Sequence, residues 1–106
     1  MTPWGLKPSH LEMLRKTFAE FPEVREVRIF GSRAIGNFKP GSDVDLALYG
    51  DGSLVCTTRV STILNQELPL PYHFDVVDAV TIERPEFRKH IEEVGQILYQ
   101  RQPSES

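Results

Sequence analysis

Two carboxylates, Asp43 and Asp45, stand one residue apart in the run Gly41-Ser42-Asp43-Val44-Asp45-Leu46. Side chains of an extended chain alternate faces, so these acids point one way while Val44, Leu46 and Leu48 point the other. With a rise of ~3.3 Å per residue the two lie about 6.6 Å apart. At an effective dielectric near 20, like charges at about that distance repel by roughly 2.5 kcal/mol. A structural role gains nothing from such a placement. A divalent cation between them turns the repulsion into binding, and hard carboxylate oxygens suit magnesium.

A third acid lies in His73-Phe74-Asp75-Val76-Val77-Asp78. Phe74 and Val76 share a face that reads as core, which leaves Asp75 on the other face with His73 and Val77. If this strand and the Asp43–Asp45 strand share a sheet with their apolar sides together, Asp75 joins the pair. Asp78 falls on the Phe74 face and ranks second as a third ligand. Three carboxylates can hold two magnesium ions, which would activate an attacking oxygen and stabilise a leaving phosphate. Upstream, Gly31 lets backbone amides approach a phosphate closely, and the Ser32 hydroxyl can donate to it. Arg33 offers a planar cationic fork to a polyphosphate and Lys39 a flexible charge. Ser42, directly before Asp43, completes the candidate phosphate-binding set. Other motifs fail on spacing. Gly31 and Gly36 are followed by Asn37-Phe38, where a P-loop requires Lys-Ser/Thr. Ala47 occupies the next ligand position of a calcium loop begun at Asp43.

The elements that must position these residues follow from periodicity. Ser9 and Glu12 have the form of a capping box, and Leu11, Leu14, Phe18 and Phe21 follow at helical spacing up to Pro22. Val24 to Phe30 reads as a strand. Residues 31–42 form a Gly-rich loop with room for one helical turn, and Val44 to Tyr49 a second strand. After a turn at 50–52, Ser53 can cap a helix with Cys56, Val60, Ile63 and Leu64 as its stripe. Pro69 and Pro71 end it, and 72–78 is the third strand. A last helix begins at Pro85 and keeps its register through Gly95, with Phe87, Ile91, Val94 and Leu98. The expected fold class is α/β (α+β): a small mixed sheet flanked by helices. The expected organisation is one catalytic domain over residues 1–106, with 101–106 a frayed tail.

The 106 residues carry 12 Lys+Arg and 15 Asp+Glu. Residues 1–50 have 7 basic and 6 acidic side chains, residues 51–106 have 5 and 9, and no basic stripe appears. Binding a long nucleic-acid template through its phosphates is therefore not expected. Cys56 is the one cysteine, which excludes a disulfide framework and fits a small buried hydrophobe. The N-terminal residues lack the apolar run of a signal peptide and no stretch is long enough to span a membrane, so a cytoplasmic protein is expected. His10 and His90 lie on helices without a ligand partner in register and receive no role. Trp4, Phe30 and Phe38 read as packing residues before base-stacking ones.

The run GSRAIGNFKPGSDVDL resembles the signature of the minimal nucleotidyltransferases, in the DNA polymerase beta superfamily. That signature is Gly-Ser, a spacer, Asp-x-Asp, and a third Asp on a later strand. The resemblance covers most of the chain and implies a polymerase-beta-like core. It implies that Gly31 and Ser32 bind a nucleoside triphosphate, with Arg33 where the family often has a basic residue. It implies that Asp43, Asp45 and Asp75 carry two Mg2+ ions. Such proteins often act as antitoxins beside a helical partner of the HEPN type, some moving AMP from ATP onto the partner. The resemblance thus implies a magnesium-dependent nucleotidyltransferase in a hetero-oligomer. A module that silences its partner by occlusion is the alternative from another class. A third is the catalytic subunit of an aminoglycoside-type enzyme.

Overall fold

A computed structural model describes residues 3–39, 41–50 and 54–101. Helix α1 (Pro8–Ala19) leads into strand β1 (Val24–Phe30), and a single turn, α2 (Ser32–Ile35), precedes strand β2 (Val44–Gly50). Helix α3 (Leu54–Thr62) widens into a π turn over Ile63–Glu67 before strand β3 (Phe74–Asp78). Helix α4 (Pro85–Val94) and strand β4 (Gln96–Gln100) complete the order. The strands form one mixed sheet in the order β3-β2-β1-β4. β1 is antiparallel to both β2 and β4, and β2 is parallel to β3. The mixed sheet flanked by helices is the expected class.

Strand alternation divides the sheet's two faces. Val27 and Ile29 of β1, Val44, Leu46 and Leu48 of β2, and Phe74 of β3 pack with Leu11, Leu14 and Phe18 of α1 and Val60 of α3. Phe30 and Ala47 face the other way, against Ile91 and Phe87 of α4. Cys56 is buried in the first cluster, and burial pushes its thiol pKa up, as for an inert core cysteine. Among the described residues no helix is long and apolar enough to cross a membrane.

Three expectations about the elements need correction or comment. The last helix does not continue to Leu98. It stops at Val94, the Gly95 amide bonds to the Ile91 carbonyl (2.8 Å), and the chain turns into β4, where Ile97 pairs with Arg28. Ile91, Val94 and Leu98 match a helical period by coincidence, because Ile91 and Leu98 are buried in opposite clusters. A Cβ at position 95 would collide with the Ile91 carbonyl, so the bend needs glycine. The expected capping box is also absent: α1 starts at Pro8 with Lys7 as its cap residue, and no side chain caps it. Proline at the first helical position supplies the start, which places Ser9 inside the first turn. The proposed cap at Ser53, the turn around Asp51-Gly52 and the tail beyond Arg101 lie outside the described residues.

Candidate active site

The register of β2 and β3 determines where the carboxylates stand. Asp45 pairs with Asp75, and Asp45 also pairs across the other edge with Phe30. Because Val44, Leu46 and Phe74 are buried on the α1/α3 side, Asp45 and Asp75 project from the α4 side. Asp43, just before β2, lies within electrostatic reach of Asp45. Asp45 has its pKa raised, first by burial and then by the neighbouring charges of Asp75 and Asp43, with His90 pulling the other way. Among the described residues no lysine or arginine forms an ion pair with any of the three. The carboxylate of Asp43 is exposed and turned toward His73, with Oδ1 at 3.4 Å from Nδ1. No three ligating side chains among the described residues are gathered at metal spacing. The donor set is nevertheless all hard oxygen, no lysine or arginine among the described residues is paired with it, and the Asp43 carboxylate is exposed. In donor type these residues fit a divalent cation.

Gly31 closes one side of this cluster. Its φ is +76° and its ψ −155°, a conformation open essentially to glycine alone. A Cβ there would run into Asp45 Oδ2. The missing side chain is thus what lets the β1–α2 corner approach the carboxylate. Ser32 follows at the first position of α2, half-buried. Lys39 and Ser42 bracket a turn, with the Ser42 amide on the Lys39 carbonyl (3.0 Å) and the Lys39 amide on Ser42 Oγ (3.0 Å). The Lys39 side chain is exposed beside this turn.

Arg33 departs from the expectation of a fork facing a polyphosphate. It is only 4% exposed. Nε and Nη2 donate to the Ser42 carbonyl (3.1 and 2.9 Å) and Nη1 to the Trp4 carbonyl (2.8 Å). The rings of Phe38 and Tyr72 lie against the guanidinium at 4.9 and 5.4 Å. The side chain is turned inward and ties the end of the loop, one residue before Asp43, to the N-terminal turn. Gln96 makes a second tie: Nε2 donates to the Ala34 carbonyl (3.1 Å) while Oε1 accepts from Trp4 Nε1 (2.9 Å). Trp4 and Phe38 therefore serve packing, as expected, and Phe30 is buried under α4. Arg33→Lys should lower stability by about 2 kcal/mol, since one ammonium cannot replace a fork holding two carbonyls. Thermal melts check this. A polyphosphate-facing arginine would instead leave the melting point unchanged and weaken nucleotide binding.

His90 was not legible as a site residue. It sits half-buried on α4, its ring edge-on to Phe30 with centroids 6.1 Å apart, within electrostatic reach of Asp45. Asp78, by contrast, is buried on the opposite face, where Oδ1 accepts from the Val80 amide (3.0 Å). It caps the turn after β3 and stands apart from the other acids. His10 bonds to the Tyr72 hydroxyl (2.8 Å) and serves packing.

The sequence matches the family model "Polymerase beta, Nucleotidyltransferase" over residues 12–104. The chain belongs to that nucleotidyltransferase family. Solved structures carry the same fold at low identity. One is a toxin-antitoxin with AMP-PNP, at 19% identity and TM-score 0.69, covering 92% of this chain and 76% of that one. Another is an MntA-HpeT toxin-antitoxin mutant, at 16% identity and TM-score 0.66, covering 92% and 75%. A protein from Sulfolobus solfataricus described as a nucleotidyltransferase aligns at 20% identity and TM-score 0.55, covering 87% and 78%. No similar sequence was found among curated proteins.

Proposed function

We propose that this nucleotidyltransferase-family chain moves AMP from ATP onto a hydroxyl of a HEPN-type helical partner, as the antitoxin of a toxin–antitoxin pair in the cytoplasm. The observation that carries the chemistry is the register of Asp45 with Asp75, beside Asp43 and opposite the Gly31 corner. Likeness to toxin-antitoxin structures, one with AMP-PNP, supports the partner and the nucleotide. Asp43, Asp45 and Asp75 would hold two Mg2+ ions, which when bound supply charge neutralisation at the triphosphate and activate the attacking hydroxyl. Gly31 and Ser32 present backbone and hydroxyl donors to the triphosphate, with Ser42 and Lys39 on the neighbouring turn. Arg33 acts from below, holding that turn in place. The acceptor oxygen bonds to the α-phosphorus as the α–β anhydride breaks, releasing pyrophosphate and the hydroxyl proton. Positioning and electrostatics carry such a reaction, and no nucleophilic side chain is needed.

The test is labelled ATP with magnesium and the protein that co-purifies with this chain. Wild type should label the partner, and Asp43→Ala should reduce labelling at least 100-fold. Equal labelling by Asp43→Ala would remove the mechanism. Silencing of the partner by an Asp43/Asp45 double mutant would instead favour neutralisation by occlusion.

A further inference from the structure

β3 is an edge strand, yet its outer edge is not open at Phe74. Asn65 Nδ2 donates to the Phe74 carbonyl (2.9 Å), and the Phe74 amide donates to Asn65 Oδ1 (2.8 Å). One carboxamide thus satisfies both backbone groups of one residue, as a neighbouring strand would. Asn65 reaches this position from the π turn after α3, closed by the Leu68 amide on the Ile63 carbonyl (3.0 Å). Its neighbour Leu64 points into the core, 1% exposed, while Asn65 stays on the surface. π turns are rare and occur often at functional sites. The residue so gripped is the one directly before Asp75. On the other side of the site, Arg33 grips Ser42, directly before Asp43.

We propose that Asn65 is a positioning residue for Asp75, clamping β3 so that this carboxylate keeps its register with Asp45. The inference rests on the reading that these acids hold divalent cations. Covering an exposed strand edge is the merely structural role such a contact can have, and that role predicts a loss of stability alone. A positioning role predicts weaker metal binding as well, because groups that orient metal ligands contribute about 10- to 100-fold in affinity.

The probe is Mn2+ binding to the full chain, followed by its electron paramagnetic resonance signal at 10 °C, with thermal melts in parallel. Wild type, Asn65→Ala, Asn65→Asp and Asp75→Asn are compared. Asn65→Ala should weaken Mn2+ binding about 10-fold, approaching Asp75→Asn. Asn65→Asp, which keeps the acceptor for the Phe74 amide, should lie between Asn65→Ala and wild type while remaining folded. Lower melting points with wild-type Mn2+ affinity in both Asn65 variants would overturn the positioning role and leave the metal site standing. Equal Mn2+ binding by wild type and Asp75→Asn would overturn the metal reading, and the positioning role with it.

Discussion

Replacing Asp45 with asparagine is expected to cut nucleotidyl transfer by about 100- to 1,000-fold, the size seen when one group that stabilises transition-state charge is removed, while making the metal-free fold more stable. The two effects have opposite signs because they have one cause. Asp45 is partly withdrawn from water and faces Asp75 and Asp43, and all three influences raise its pKa. A carboxyl whose folded pKa lies above its unfolded value stabilises the fold only below the unfolded pKa. That contribution is lost as pH rises through the folded pKa, so at neutral pH the ionised group opposes folding. Asparagine keeps the shape and removes the charge. In EDTA at pH 7, a gain of even ~0.5 kcal/mol would raise the melting temperature by about 2–4 °C for a domain of this size. The difference should vanish at pH values below the carboxylate range, where wild-type Asp45 is neutral. Magnesium should reverse the order at pH 7, because it stabilises wild type by binding the folded form and has lost a ligand in the variant. A melting temperature that falls on substitution in EDTA would show that Asp45 is paired in some way the cluster does not reveal.

That Asp45 and Asp75 share one face could be read from the chain because strand phase is strict. Val44, Leu46 and Phe74 had to face the core, and a period of two leaves Asp45 and Asp75 no choice of side, while Asp43 stands just ahead of the strand. The sheet and its first three strands followed from the same alternation. What escaped were contacts set by residues far apart in sequence. Arg33, in a Gly-rich loop, has the look of a ligand-facing cation. Its inward course depends on the Trp4 carbonyl, 29 residues away, and on two aromatic rings. His90 precedes the core residue Ile91, and only the way α4 crosses the sheet brings it near Asp45. β4 was hidden because Leu98 lies at helical spacing from Ile91, although Gly95 between them was a signal for a stop. Asn65 carried no signal at all: a polar residue after an apolar stripe is ordinary until its partner strand is known. The site's acids are thus written in local pattern, and the side chains that hold them are written in tertiary contacts.

Gly31→Ala is the substitution with the largest expected effect outside the acids. The position combines two separate demands on glycine. Its backbone angles cost any other residue about 1–3 kcal/mol, and a Cβ would overlap Asp45 Oδ2. Strain alone should lower the melting temperature. Overlap must also push the Asp45 carboxylate or the β1–α2 corner aside, and a displacement near 1 Å at a reacting centre costs about 100-fold in rate. Gly36 separates the two demands. Its φ is +101°, so alanine there is strained as well, but among the described residues beyond its chain neighbours no atom lies within 4 Å of where its Cβ would stand. Gly36→Ala should therefore lose stability and retain most of its transfer rate when assayed well below its melting temperature. Gly31→Ala, assayed at the same margin below its own, should lose about 100-fold. Equal rates in the two variants would mean that the corner at Gly31 serves only the turn. A loss confined to Gly31→Ala would locate the reacting phosphate between that corner and Asp45, since backbone strain is common to both.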